Sequence, residues 1–355
     1  MRQNPHQRRR GALTIAIAAV AALSLLGAAC SSSDDDASDS GSDGTAAAGS
    51  SAPEKLVIGY QNIPNGDLIV KHEGWLEEAL PDTEIEWKLF DSGGAVNEAI
   101  VSGSIDIGLA GSSPVSRGIS NGIEYQVPWI HDVIGKAEAL VVTEDITSIQ
   151  DLKGKKIATP LASTAHYSLL AALESEGLSA SDVEIIGSEP PDILAAWTRG
   201  DIDGAYLWNP NLASIVAEGG KILITSEDLA AEGRTTYDLA VVRTEFAEQY
   251  SDAVQTWVEQ QNKAVELYRS DEDEAVEAIA AELNISADEA KAQASDLIFL
   301  TAEEQAGADY LGGGLATNLY AAAQFNKELG EIEEVKPESA YKDAVVATFA
   351  EKVGG

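Results

Sequence analysis

Cysteine is almost absent: Cys30 is the only one in 355 residues. A lone thiol excludes an internal disulfide and any cysteine-based metal site, so a packed core must hold the fold. Histidine is scarce too, at 4, and no His or Cys cluster with metal-ligand spacing occurs. Basic residues are few, 23 Lys and Arg against 59 Asp and Glu, for a formal net charge of −36. That deficit excludes nucleic acid as a partner, because phosphate binding needs clustered Lys and Arg. It equally disfavours adsorption to anionic lipid heads, so membrane association has to come from an anchor. No Gly-x-Ser-x-Gly elbow is present, which argues against an exported hydrolase. No metal and no cofactor is expected.

What is there begins with the surroundings of Cys30. Arg2, Arg8, Arg9 and Arg10 precede an uncharged run over 11–29, which closes on Leu26-Gly27-Ala28-Ala29. A basic start, a short apolar stretch and small residues before a cut make a secretory signal peptide over 1–29. A cysteine just after the cut makes it a lipoprotein signal, since the thiol accepts the diacylglycerol. Gly27 stands where such signals usually carry Leu, which here lies one place earlier at Leu26. The run is at the short end for a membrane span. Residues 30–53 are almost wholly Ser, Asp, Gly, Ala and Thr, a flexible linker with too little apolar surface to fold. The expected location is outside the cytoplasm, on the outer face of the cell membrane, held by a lipid on Cys30.

The body, 54–355, is long enough for two lobes. Strands are expected at Leu56–Tyr60, Ile85–Leu89 and Ile105–Leu109, with helices opening at Gly93 and near Ser112-Ser113-Pro114. Strands then follow near Ala139–Val142, Lys155–Ala158, Val183–Ile186 and Ile202–Trp208, with helices over Thr164–Ser175 and Pro191–Thr198. Ala99–Asp106 and Ala196–Asp203 echo each other as helix, glycine cap and Ile-Asp strand start. Each lobe is therefore expected to hold the same supersecondary unit, in an open α/β sheet with right-handed crossovers. Leu239–Val242 reads as a strand returning to the first lobe. Beyond it come helices at 253–268, 272–282, 287–298, 302–310, 316–329 and 341–353, with Ser251, Ser286 and Thr301 as N-caps. The expected lobes are 54–141 with 240–355, and 142–239.

In open α/β sheets ligands sit beyond the carboxyl ends of strands, where helices begin. Ser112-Ser113-Pro114 and Ser163-Thr164-Ala165-His166-Tyr167 are two such turns, one per lobe. In the first, Ser113 is placed as N-cap and Pro114 as first helical residue. Helix N-termini with added hydroxyls bind anions without lysine or arginine. Each turn alone is ordinary capping; the matched pair points to a site between the lobes. Glu138 and Asp238 stand just before apolar strands, at the two crossings between lobes. Carboxylates beside an anion cradle complement a cation, so the ligand reads as a small zwitterion. Trp208 ends a strand and either walls the ligand or packs; Gln61 ends the first strand.

Phe90–Gly93, Gly111–Pro114, Glu138–Val142, Thr164–Leu173 and Ala195–Tyr206 resemble the taurine-binding proteins of ABC importers, within the nitrate, sulfonate and taurine group of solute receptors. The likeness covers roughly Leu56 to Leu329. It implies a two-lobed periplasmic-binding fold of the second type, with a sulfonate held at helix starts. Carried over, Ser112, Ser113 and Thr164 face the sulfonate with His166 and Tyr167 near, and Glu138, Asp238, Gln61 and Trp208 surround the amino end. Ala165 departs from a usual hydroxyl residue, and Asn209 from a usual small one. The implied protein is no enzyme but a monomeric receptor that delivers a sulfonate to an ABC permease. Another aliphatic sulfonate, nitrate or a thiamine precursor stays open as the cargo.

Overall fold

Short apolar runs closed by glycines or hydroxyl-bearing caps set the first elements, and the computed structural model describes residues 52–354. The chain opens with β1 (Lys55–Tyr60), α1 (Gly66–Glu73), α2 (Trp75–Ala79) and β2 (Glu84–Leu89). It continues through α3 (Gly93–Val101), β3 (Ile107–Gly111), α4 (Ser112–Ser120) and β4 (Tyr125–Ile134). After a turn come β5 (Glu138–Val142), β6 (Lys156–Thr159), α5 (Thr164–Ser175), β7 (Glu184–Gly187) and α6 (Pro190–Arg199). Then follow β8 (Gly204–Trp208), α7 (Asn211–Ala217), β9 (Lys221–Thr225) and α8 (Ser226–Ala231). The return strand is β10 (Thr236–Arg243), followed by α9 (Thr244–Gln249), α10 (Ser251–Ser270), α11 (Glu272–Leu283) and α12 (Ala287–Ala294). A short β11 (Leu297–Ile298) precedes α13 (Ala302–Gln305), α14 (Gly314–Glu328), α15 (Glu338–Ala344) and α16 (Thr348–Gly354).

The strands form two sheets. The first has the order β11-β4-β10-β3-β1-β2, the second β7-β6-β8-β5-β9. In each, three strands run parallel (β2-β1-β3 and β7-β6-β8) and the next neighbour, β10 or β5, is antiparallel. This is a two-lobed α/β fold, and the echoed segments occupy equivalent places in it. Asp106 accepts from the backbone N–H of Val57 at 3.0 Å, and Asp203 from that of Lys156 at 2.8 Å. Each Asp thus ties the start of its lobe's central parallel strand to the approach of the next. β5 belongs to the second sheet and β10 to the first. The chain therefore crosses at 135–137 and 226–235, a few residues before the expected lobe limits at 141 and 239.

β5 is buried along its whole length, as a strand covered on both faces should be. One large core fills the first lobe, and two smaller ones cover the faces of the second sheet. α14 serves both lobes: Leu319 accepts from the Ser116 hydroxyl at 2.9 Å, and Phe325 packs edge-on against Tyr167 at 5.1 Å.

Several expected elements differ. β4 and β9 lay outside the sequence reading, as did α1, α2 and the short α7, α8 and α9. Ser113 is not an N-cap, because Gly111 holds that place and α4 begins at Ser112. Tyr250, not Ser251, precedes α10, whereas Ser286 and Thr301 do cap, each in a reciprocal capping box. The helix expected over 287–298 stops at Ala294, since Leu297 and Ile298 join the sheet beside β4. The one expected over 302–310 ends at Gln305. The last expected helix is two, α15 and α16, parted where Val345 bridges Val127. Among the described residues no helix is long and apolar enough to cross a membrane. The expected signal peptide, Cys30 and nearly all of the linker lie outside the described residues.

Candidate functional site

Between the sheets a small cavity lies where helices start. It offers about 20 Å³ to the centre of a water molecule, within about 420 Å³ of empty space that includes its mouth. Gly93 of α3, Gly111 and Pro114 at α4, and Ser163 and Thr164 at α5 all line it, so three helix N-termini converge. Helix N-termini present N–H groups without intrahelical partners and the positive end of the dipole, here on a wall that carries no Lys or Arg. The lobes nearly touch here. A Cβ on Gly111 would lie 2.6 Å from Thr164 Cγ2, so glycine is required by the close approach. Nearby, Ser92 donates to Glu189 at 3.4 Å and Asn209 to Asp296 at 3.5 Å, each pair bridging the lobes.

Against these helix starts stand buried acids. Glu138 opens β5 and is 0% exposed. It accepts from Thr164 at 2.5 Å, Ser226 at 2.7 Å and Ser168 at 3.3 Å. Burial nevertheless pushes its pKa up to about 7, with the three hydroxyl bonds pulling the other way. Asp238 lies within β10, on the cavity wall. Burial, then repulsion from Asp132 and Glu138, holds its pKa well above the carboxylate range. Gln61 donates to the Leu109 carbonyl at 3.0 Å, leaving its buried Oε1 without a partner on the cavity wall. Trp208 and Asn209 complete that side with Ile63, Pro64, Ile134, Ala137 and Leu297.

Five of the nine expected site residues thus meet at the cavity: Gln61, Glu138, Thr164, Trp208 and Asp238. The other four stand off the wall. The Ser112 hydroxyl accepts from the Tyr237 N–H at 3.2 Å, and that of Ser113 from Asn326 at 3.5 Å. Each hydroxyl accepts from a partner away from the cavity and keeps its own O–H, and it is Gly111 and Pro114 that α4 presents on the wall. His166 accepts from the Ala162 N–H at 3.4 Å and lies 3.8 Å from Glu331, with burial lowering its pKa. Tyr167 is core. Ala165 is fully buried in that same core, away from the wall. Among the described residues no group of three or more His, Cys, Asp or Glu is arranged to hold a metal ion.

Asp132 escaped the sequence reading. Its strand, β4, carries Pro128, His131 and Asp132 among its apolar residues, which hides the alternation. Only the register, Asp132 opposite Asp238, reveals it.

The geometry can hold a small anion at the helix starts and a cation at the acids. Over 175 residues, 49% of this chain, it is 43% identical to the taurine-binding periplasmic protein of Escherichia coli K12. The match spans about half of that relative, 54% of its length. Among solved structures, the periplasmic aliphatic sulphonate binding protein of Escherichia coli superposes with a TM-score of 0.69 at 23% identity, covering 84% of this chain and 100% of that one. The alkanesulfonate-binding protein of Xanthomonas axonopodis pv. citri, bound to MOPS, gives 0.69 at 23% over 84% and 98%. Residues 54–293 match the family model for the substrate binding domain of ABC-type glycine betaine transport systems, and the chain belongs to that family of substrate-binding domains.

Proposed function

We propose that this protein is the extracytoplasmic receptor of an ABC importer, and that it captures taurine or a close aminoalkyl sulfonate between its lobes for delivery to a membrane permease. One observation carries the reading: a single cavity joins three helix N-termini to two buried carboxyls and has no basic side chain on its wall. A sulfonate stays ionised at physiological pH and needs only N–H and O–H donors, which α3, α4 and α5 supply. The ammonium end faces Asp238, Glu138 and the free Gln61 Oε1, with Trp208 walling the short carbon chain. Each charge-assisted hydrogen bond contributes about 1.5–3 kcal/mol net. Contacts from both lobes make the ligand favour closure, and a permease can then tell loaded from empty. The anchor is part of the proposal: a lipid on Cys30 keeps the receptor near the permease and raises its effective concentration. The receptor acts as a monomer and performs no reaction on its cargo.

The test is calorimetric titration with taurine, ethanesulfonate and nitrate. Taurine is expected to bind most tightly, because a plain anion gains nothing from the buried acids. Ethanesulfonate or nitrate binding as tightly as taurine would sink the ammonium assignment. Turnover of any of the three would replace the receptor by an enzyme.

A further inference from the structure

β4 and β10 run antiparallel with Asp132 directly opposite Asp238, so both carboxyl groups stand on the same face of the sheet. Like charges opposed across a ladder repel, and two buried carboxyls that cannot both stay ionised share a proton. Both residues are buried, at 0% and 6% exposure.

The surrounding groups supply no positive charge. β5 contributes Glu138. α1 contributes Asp67, which accepts from Gln261 of α10 at 2.8 Å and lies 3.8 Å from His131 of β4. Burial holds His131 neutral, with its pKa lowered to about 3. The nearby basic side chains are engaged elsewhere: Arg117 of α4 with Glu331, Arg243 of β10 with Asp106 and Glu245, and Lys136 with Glu227. Asp296, before β11, bonds Asn209. Asn65, the N-cap of α1, donates to Asp132 Oδ2 at 3.3 Å, while Asp132 Oδ1 has no partner. Gln61 Oε1, 4% exposed as a residue and on the same cavity wall as Asp238, has none either. Acceptors with open lone pairs and no basic side chain among them call for a cation rich in N–H.

We propose that the empty cleft keeps one proton between Asp132 and Asp238, and that the ligand's ammonium group takes its place, so that loading releases the proton to solvent. This rests on the ammonium reading above. The charge balances, one positive unit leaving as one arrives: the acids become one unit more negative, and the ammonium beside them offsets that unit. The Asp238 O–H bond breaks, its proton passes to water, and the ammonium donates to Asp238, Glu138 and Gln61 Oε1. Asp132 touches no ligand. It is a positioning residue that keeps the proton on Asp238 until the ammonium arrives. Burial raises Asp132 and Glu138 to about 7 and Asp238 well above its usual range, in the same direction.

The sign follows from linkage. A site that must lose a proton to bind gains affinity as pH rises, by about tenfold per pH unit while the proton is fully held, and levels off above the pKa of the empty pair. The experiment is calorimetry of the full chain with taurine near pH 6.5 in phosphate and in imidazole, whose ionisation heats differ. Sulfonate buffers are left out because they resemble the ligand. About one proton released per taurine is expected, and none for ethanesulfonate. Asp132→Asn is expected to lower the count to well under half while taurine still binds. Taurine binding with identical heats in both buffers, or an unchanged count in Asp132→Asn, overturns the proposal. If that variant does not fold, the wild-type pH profile decides, and an affinity flat between about pH 5.5 and 7.5 overturns it. No binding of taurine at all would instead defeat the functional reading beneath it.

Discussion

A buried carboxyl without a basic partner is expensive unless it holds a proton or meets a cation. Glu138 and Asp238 are both in this position, yet they differ in what surrounds them. Glu138 is caged by hydroxyls from α5 and α8, whereas Asp238 faces another acid. Asp238 therefore has more to gain from an ammonium group. Asp238→Asn is expected to weaken taurine by about ten- to a hundredfold, the equivalent of one charge-assisted hydrogen bond. Ethanesulfonate affinity should move by less than about threefold, and paired titrations of the variant measure both. Equal losses for the two ligands would mean that Asp238 supports the cleft without touching the amine. At this scale the sequence placed Glu138, which opens β5, whereas Asp238, expected just before a strand, lies inside β10. Ser112 and Ser113 stand off the cavity wall, their hydroxyls accepting from partners that lie far along the chain, Tyr237 and Asn326.

Among the elements, the matched Asp residues explain why two distant segments look alike. Asp106 and Asp203 each accept a backbone N–H from a parallel neighbour, and each also faces a base, Arg243 at 2.8 Å and Lys155 at 3.8 Å. The echo therefore records a shared way of setting strand register, needed in each lobe by its own sheet. Asp203→Asn is expected to cost about 1 kcal/mol, since a neutral acceptor replaces a charged one without losing the oxygen. A fall in melting temperature of about 2–4 °C should follow, read by thermal denaturation. No change would leave the echo without a mechanical role. Strands such as β1, β3, β5 and β8 were legible because dense apolar runs signal burial on both faces. β9 was not, since its residues are exposed or half-exposed at the sheet edge. The split between α15 and α16 was equally hidden, because it depends on a bridge to Val127, far upstream.

For the whole molecule, two crossings join the sheets, and α14 packs on both lobes beside them. Asn209 and Asp296 bond each other beside the first crossing, where the Asn209 N–H donates to the Ala137 carbonyl and the Lys136 N–H to that of Asp296, while Ser92 and Glu189 join the lobes elsewhere. The proposed anchor is tested at this scale. Cys30→Ala is expected to abolish incorporation of labelled palmitate and to release the chain from membranes. Label retained by the variant would remove the anchor from the proposal. The sequence by itself determined much of the alternation of strands and helices, the strong acidity, and the place of acids near the crossings, because these depend on local composition and period. Only the tertiary structure decided which hydroxyls reach the cavity, that Asp132 backs Asp238, and that Gly111 must lack a side chain. Those follow from register and lobe approach, which bring together residues that no local pattern connects.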